Sequence, residues 1–302
     1  MLLLAMAYVV PEFIGGKQVI KSVSNGISEK LFTKDTTQQN QFDLASLNAA
    51  LNEVNFRLDD VRDGAPVPRF YVDQIPVDMI DVIEVEERKR TFIKLVLPQV
   101  LNINESIVAR REQLKMLLER KKAGGTLTAN DRKWLEELAS RYREKTVDPA
   151  TLLEKVDKVP VSLALAQAVE ESGWGTSRFA REGNALFGQR VWATGEGIVP
   201  EDRNDSETHE VRAFKSIAES VRSYVHNLNV HPAYEEFRAA RARSHAGPDQ
   251  DADGLRLIET LHVYSEKGQE YVENLRTLIE TNRFQDFEDA TLTPEQLAHN
   301  RP

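Results

Sequence analysis

The chain has 302 residues, no cysteine, and 39 basic against 48 acidic side chains, a formal net charge of −9. That balance lacks the basic footprint that phosphate binding needs, which excludes nucleic acid as a partner; the absence of cysteine excludes disulfides and thiol chemistry. A hydrophobic fraction of 41% beside a charged fraction of 29% suits a soluble globular protein with material for a core, and the length suits two domains.

Met1 to Val10, MLLLAMAYVV, is apolar, has no preceding positive charge and is too short to span a bilayer. A remnant export signal, a weak membrane anchor and an N-terminal strand all fit it. Residues 17–40 are rich in Ser, Thr, Gln, Asn and Lys and read as a flexible linker or tail, which with the apolar start makes up 1–41. An N-terminal helical region, 42–146, follows. Leu44, Leu47, Leu51, Val54 and Leu58 recur at three and four residues and predict a helix. Gly64, Pro66, Pro68 and Pro76 mark an extended loop, with a short strand at Arg69 to Val72. Asp78 to Lys122 keeps a helical period through Phe92, Val96, Ile103 and Leu114, and Pro98 predicts a break or a kink within it. Gly124 and Gly125 end this part. Thr128 with Asp131 opens another helix to about Tyr142, burying Trp134, Leu135 and Leu138. No catalytic constellation stands in this region.

Asp148 and Pro149 read as N-cap and first helical position, so a second domain, 147–285, begins here. Its centre is VSLALAQAVEESGWGTSRFAREGNALFGQ, Val161 to Gln189. Pro160 precedes a helix of good formers, Ser162 offers an oxygen to its N-terminus, and Gly173 and Gly175 stop it. Glu170 and Glu171 fall in its last turn, where the helix dipole disfavours negative charge. A carboxyl there, near Trp174 and Phe187, holds its proton longer than a solvated one, as general acid catalysis requires. The plainer alternative is a solvated helix end.

The run AQAVEESGWG, followed by SRFA and NALFG, resembles the glucosaminidase domain of bacterial peptidoglycan hydrolases, of the flagellar-rod kind and most closely of the Bax type. The resemblance implies a mainly α, α+β lysozyme-like fold, with a helical catalytic domain and a small β-hairpin. It implies Glu171 as the catalytic acid. Trp174, Asn184, Phe187, Gln189 and Tyr271 are the candidates for contact with the glycan strand, with Ala185 standing where the family has asparagine; Asn184 also reads as shaping its loop, and Phe187 and Tyr271 as core residues. The resemblance also makes Tyr264, ahead of the final helix, a cleft residue that bonds the acetamido group or steadies positive charge on the sugar.

Arg190 to Trp192 and Glu210 to Arg212 alternate polar and apolar and predict two short strands. Between them lies an acidic stretch in which Glu201 and Glu210 are the candidates for a second catalytic carboxylate, as an inverting mechanism needs. A route assisted by the sugar's 2-acetamido group needs none. Ala213 to Leu228 is an amphipathic helix, and Pro232, Tyr234 and Phe237 mark a short one. His209, His226, His231, His245 and His262 form no ligand spacing such as HExxH, and no cofactor or metal is expected. Ser244 to Gly254 reads as an exposed loop whose Asp249, Asp251 and Asp253 begin a calcium pattern that fails at Thr260. Residues 286–302 read as a disordered tail.

The expected protein is a hydrolase of peptidoglycan glycan strands, cutting the β-1,4 bond after N-acetylglucosamine. It is expected at the cell envelope, periplasmic or exported, a place that follows from the substrate rather than from the N-terminus. A lytic transglycosylase and a non-catalytic wall-binding module are the alternatives.

Overall fold

The computed structural model describes residues 42–192, 195–201, 203, 209–245 and 253–295. The expectations for residues 1–41, for Asp249 and Asp251 and for residues 296–302 lie outside these. Eleven α-helices and one small sheet occur among the described residues. They are α1 (Leu44–Glu53), α2 (Leu58–Arg62), α3 (Val85–Lys122), α4 (Ala129–Arg141), α5 (Pro149–Lys155) and α6 (Val161–Ser172). After these come α7 (Arg178–Gly183), α8 (Ile217–Val230), α9 (Glu235–Ser244), α10 (Gly254–Leu257) and α11 (Gln269–Thr281). The fold is the mainly helical, lysozyme-like one that the resemblance implied.

The described chain forms two compact units, each gathered from separated segments. The first combines Val100–Gln167 with Val221–Asp289. Its helices bury Leu114, Leu135, Leu152, Leu163, Tyr224, Phe237 and Leu275, while Trp134, expected among the buried residues, is only half-buried. The start of α6 is capped from a distance: Val161 N–H and Ser162 N–H donate to the two carboxylate oxygens of Glu288, at 2.8 and 3.0 Å. A carboxylate on the free N–H groups of a helix start satisfies them and suits the dipole. Burial pushes the Glu288 carboxyl up from its ordinary value, against the hydrogen bonds from Ser162 and Val161. Ser162, expected as the cap, is a residue of α6 itself.

Asp157, in the turn between α5 and α6, centres a buried ionic cluster in the same unit. Its Oδ2 lies 2.6 Å from His245 Nε2, 3.5 Å from Arg241 Nε and 3.8 Å from Arg111 Nη2. Burial pushes the Asp157 carboxyl up, but the His245 hydrogen bond and the two guanidinium charges outweigh it and hold it below the ordinary range. Arg241 is wholly buried, brought down to about 10 by desolvation, and donates to the carbonyls of Glu154 and Lys158. Gly254 opens α10 behind its N-cap, Asp253, and is buried rather than exposed: a Cβ there would run into Ser162 Oγ.

The second unit holds residues 42–99, Ala168–Ser220 and the described part of 290–302. The single helix expected from Phe42 to Leu58 is two, α1 and α2, parted near Asn55 at φ 48°. α3 is continuous through Pro98, so of the break or kink expected there no break forms. Proline costs a helix roughly 3 kcal/mol, but Val96, Leu97, Val100 and Leu101 on both sides are buried, and burial of such side chains outweighs it. Glu86 and Glu87 in its first turn and Arg120, Lys121 and Lys122 in its last suit the dipole.

The sheet is antiparallel with order β1-β3-β2, built from β1 (Arg190–Val191), β2 (Gly197–Ile198) and β3 (Glu210–Arg212). β2 was not expected. It rests on Gly197, where a Cβ would run into the Val211 carbonyl oxygen. No strand forms at Arg69 to Val72; instead Val67 bridges Leu292 in parallel. Val67 exchanges main-chain bonds with Thr291 and Thr293, and Arg69 Nε donates to the Thr293 carbonyl. The chain from 286 to 293 is therefore tied into the fold rather than loose, held by these bonds and by Glu288.

Candidate active site

Glu171 is part-exposed in the last turn of α6. The chain then turns through three successive left-handed residues, Gly173 (φ 59°), Trp174 (φ 60°) and Gly175 (φ 76°). Left-handed backbone costs a residue with a Cβ about 1–2 kcal/mol, so Trp174 is held there by its surroundings. Ser172 stitches the turn: its Oγ donates to the Ala168 carbonyl at 2.5 Å and accepts from Gly175 N–H at 3.0 Å. Thr176 Oγ1 donates to the Gly173 carbonyl. Beneath the turn lies the N-terminal region. Phe92 meets the Trp174 ring edge-on at 5.9 Å between centroids, and Lys89 Nζ sits 5.7 Å from that ring's centroid. A Cβ on Gly175 would stand 3.0 Å from Phe92 and 3.6 Å from Ile75.

The NALFG segment closes on the same carboxylate. Gly188, at φ 59°, lies so close to Glu171 that a Cβ there would stand 2.8 Å from Oε2. The glycine thus gives the carboxylate its seat. Asn184, left-handed at φ 49°, has its amide occupied by main chain: Oδ1 accepts from Ile75 N–H and Nδ2 donates to the Phe214 carbonyl. It shapes the loop and ties it to the N-terminal region. Leu186 and Phe187 are buried core residues. Gln189 is buried, and its Oε1 has no hydrogen-bond partner among the described residues.

The two candidate second carboxylates stand differently. Glu210, 3% exposed, accepts from Gly195 N–H with both oxygens and from Gly197 N–H with Oε2. It holds the hairpin loop. Glu201 is an exposed side chain paired with Arg178 at 3.2 Å.

Tyr264 and Tyr271 belong to the first unit. Their rings stack at 5.6 Å with 5° between planes, and Tyr234 lies 5.9 Å from Tyr264. Both are buried. Tyr271 OH accepts from Gln167 Nε2 at 2.9 Å, and Gln167 Oε1 accepts from Tyr224 OH at 2.7 Å. Among the described residues, no group of three or more His, Asp or Glu is set to hold a metal.

Sequence reasoning missed the roles of Ile75, Phe92 and Gly188. The first two lie far upstream of the turn they support, and no local pattern marks such a contact. The glycine was visible in the motif, yet its reason, a carboxylate against its Cα, was not.

A model of the glucosaminidase family, described as mannosyl-glycoprotein endo-beta-N-acetylglucosaminidase, matches residues 147–284. Protein bax of Escherichia coli (strain K12) is 35% identical over 202 residues, covering 65% of this chain and 70% of that protein. Peptidoglycan hydrolase FlgJ of Salmonella typhimurium is 31% identical over 154 residues, which are 43% of this chain and 49% of FlgJ. No solved structure matches. The matched domain is a glycosidase domain, and this chain belongs to the Bax-type peptidoglycan hydrolases that carry it.

Proposed function

We propose that this protein hydrolyses the glycan strand of peptidoglycan at the β-1,4 bond after N-acetylglucosamine, with Glu171 as general acid. The observation that carries the reading is the seat of Glu171: a carboxylate at the end of an apolar helix, against Gly188, beside a turn held in left-handed backbone. A group fixed in this way can meet a glycosidic oxygen without reordering, which is where positioning lowers a barrier. Glu171 gives its proton to the leaving oxygen as the bond from the anomeric carbon breaks. Water then completes the hemiacetal and returns a proton to the site.

The main-chain bonds that occupy Glu210 and the exposed ion pair of Glu201 favour assistance by the sugar's own 2-acetamido group over a protein base. In that route the acetamido oxygen bonds to the anomeric carbon as the leaving group departs, and water opens the ring so formed. The site of action is the cell envelope, since that is where the strand lies.

Mass spectrometry of fragments released from purified peptidoglycan tests the bond. The reading expects reducing N-acetylglucosamine ends. Anhydro ends would make the protein a lytic transglycosylase, and reducing N-acetylmuramic acid ends would move the cut to the other bond.

A further inference from the structure

The strand that leaves Gly188 alternates in burial. Gln189 and Val191 are 2% exposed, Arg190 is half-buried, and Trp192 is 43% exposed. Trp192 is the one aromatic among the exposed large apolar side chains of the described residues. Successive strand residues point to opposite faces, so Arg190 and Trp192 share the face away from Gln189 and Val191. Among the described residues β1 is an edge strand, paired on one side with β3. The Arg190 guanidinium makes no hydrogen bond or ion pair with a described residue. An exposed indole and an uncommitted cation therefore stand two residues apart on an open edge.

Their place decides what they fit. Gly188 lies against the Glu171 carboxylate, and Trp192, four residues further on, stands no more than about 14 Å along the chain from it, within the reach of a glycan strand bound at that carboxylate. An indole face matches the apolar C–H face of a pyranose ring, and its N–H can donate to a sugar hydroxyl. The chain as a whole is acidic at −9, so a strand bearing carboxylates needs a local cation to be held against that field. Arg190 supplies it.

We propose that the exposed side of β1 is a binding subsite for an anionic glycan strand, with Trp192 stacked on a sugar ring and Arg190 paired with a carboxylate that the strand carries. The proposal rests on the reading of the protein as a peptidoglycan hydrolase and names what that site recognises besides the scissile bond. It makes the site prefer a carboxylate-bearing strand over a neutral amino-sugar polymer of the same linkage.

The test uses the full chain carrying Glu171→Gln, titrated calorimetrically with two probes, soluble uncrosslinked peptidoglycan strands and neutral chitohexaose. Trp192→Ala weakens binding of both about tenfold, and Trp192→Phe restores most of it. Arg190→Gln weakens binding of the peptidoglycan strands about fivefold, an effect that fades near 0.5 M salt, and acts on chitohexaose far less. Strands stripped of their peptides locate the carboxylate: a retained Arg190 effect assigns it to the sugar's lactyl group, a lost one to the peptide, and either supports the pairing. Unchanged binding in both variants overturns the proposal, as does an equal loss on both probes from Arg190→Gln, or a change of oligomeric state in place of a change in sugar binding. Fragments released during the titration would instead count against Glu171 as acid, so the two failures are read separately.

Discussion

Gly188→Ala separates the placing of the Glu171 carboxylate from the stability of the fold. The new Cβ stands 2.8 Å from Oε2, about 0.6 Å inside the 3.4 Å at which ordinary contact begins. The atom it meets is the far end of a flexible side chain, so the carboxylate moves rather than the backbone. Left-handed backbone at φ 59° adds a cost of about 1–2 kcal/mol to any residue with a Cβ. For a chain of this size that lowers the melting temperature by roughly 2–8 °C. The displaced carboxylate is the larger effect on rate: misplacement by about 1 Å costs on the order of a hundredfold, so 0.6 Å should cost about ten- to a hundredfold. Gly64→Ala is the matched control, since Gly64 has φ 94° and nothing within 4 Å of the added Cβ. Turbidity loss of purified peptidoglycan gives the rate and calorimetry the melting point. The reasoning is refuted if both variants lyse at the same rate, or if Gly188→Ala loses activity only as far as it loses fold.

Two further outcomes follow from the buried contacts. Phe92→Ala removes a wholly buried ring from beneath Trp174 and Gly175; it should destabilise by about 3–5 kcal/mol and abolish lysis at temperatures where the parent is folded, measured by denaturant titration beside the lysis assay. Asp157→Asn leaves Arg241 and Arg111 without their buried anion, at a cost of roughly 3 kcal/mol near neutral pH. The folded carboxyl lies below its ordinary value of 3.8, so the folded state releases its proton more readily. The stability it contributes is present above 3.8 and is lost as pH falls through the folded value. Melting curves from pH 2 to 7 should show this acid-side loss shrink in Asp157→Asn; an unchanged profile would count against the cluster.

The helices were legible because each carries its own signals. Thr128 and Asp131 form the reciprocal capping box that their spacing implied, and Asp148 caps α5 through the Thr151 N–H. Gly173 and Gly175 marked the end of α6 and the turn beyond it. What escaped was long-range. Glu288 caps α6 across 127 residues, and nothing near Glu288 in sequence announces a partner. β2 is two residues long, too short for a period of two to register, and its pairing is decided by Gly197 against β3. At Pro98 the local rule left a break or a kink open, and burial on both sides of the proline keeps the helix continuous. At the site, the motif residues were legible as a set, while the N-terminal side chains that hold their geometry were not.

Glu171→Gln, assayed on purified peptidoglycan beside the parent protein with melting temperature as the fold control, tests the central claim most directly. Glutamine keeps the shape of the side chain and removes the transferable proton. The account predicts an unchanged fold and a loss of lysis of at least about a hundredfold, the scale that general acid catalysis contributes. Lysis at the parent's rate from a folded Glu171→Gln protein would contradict it.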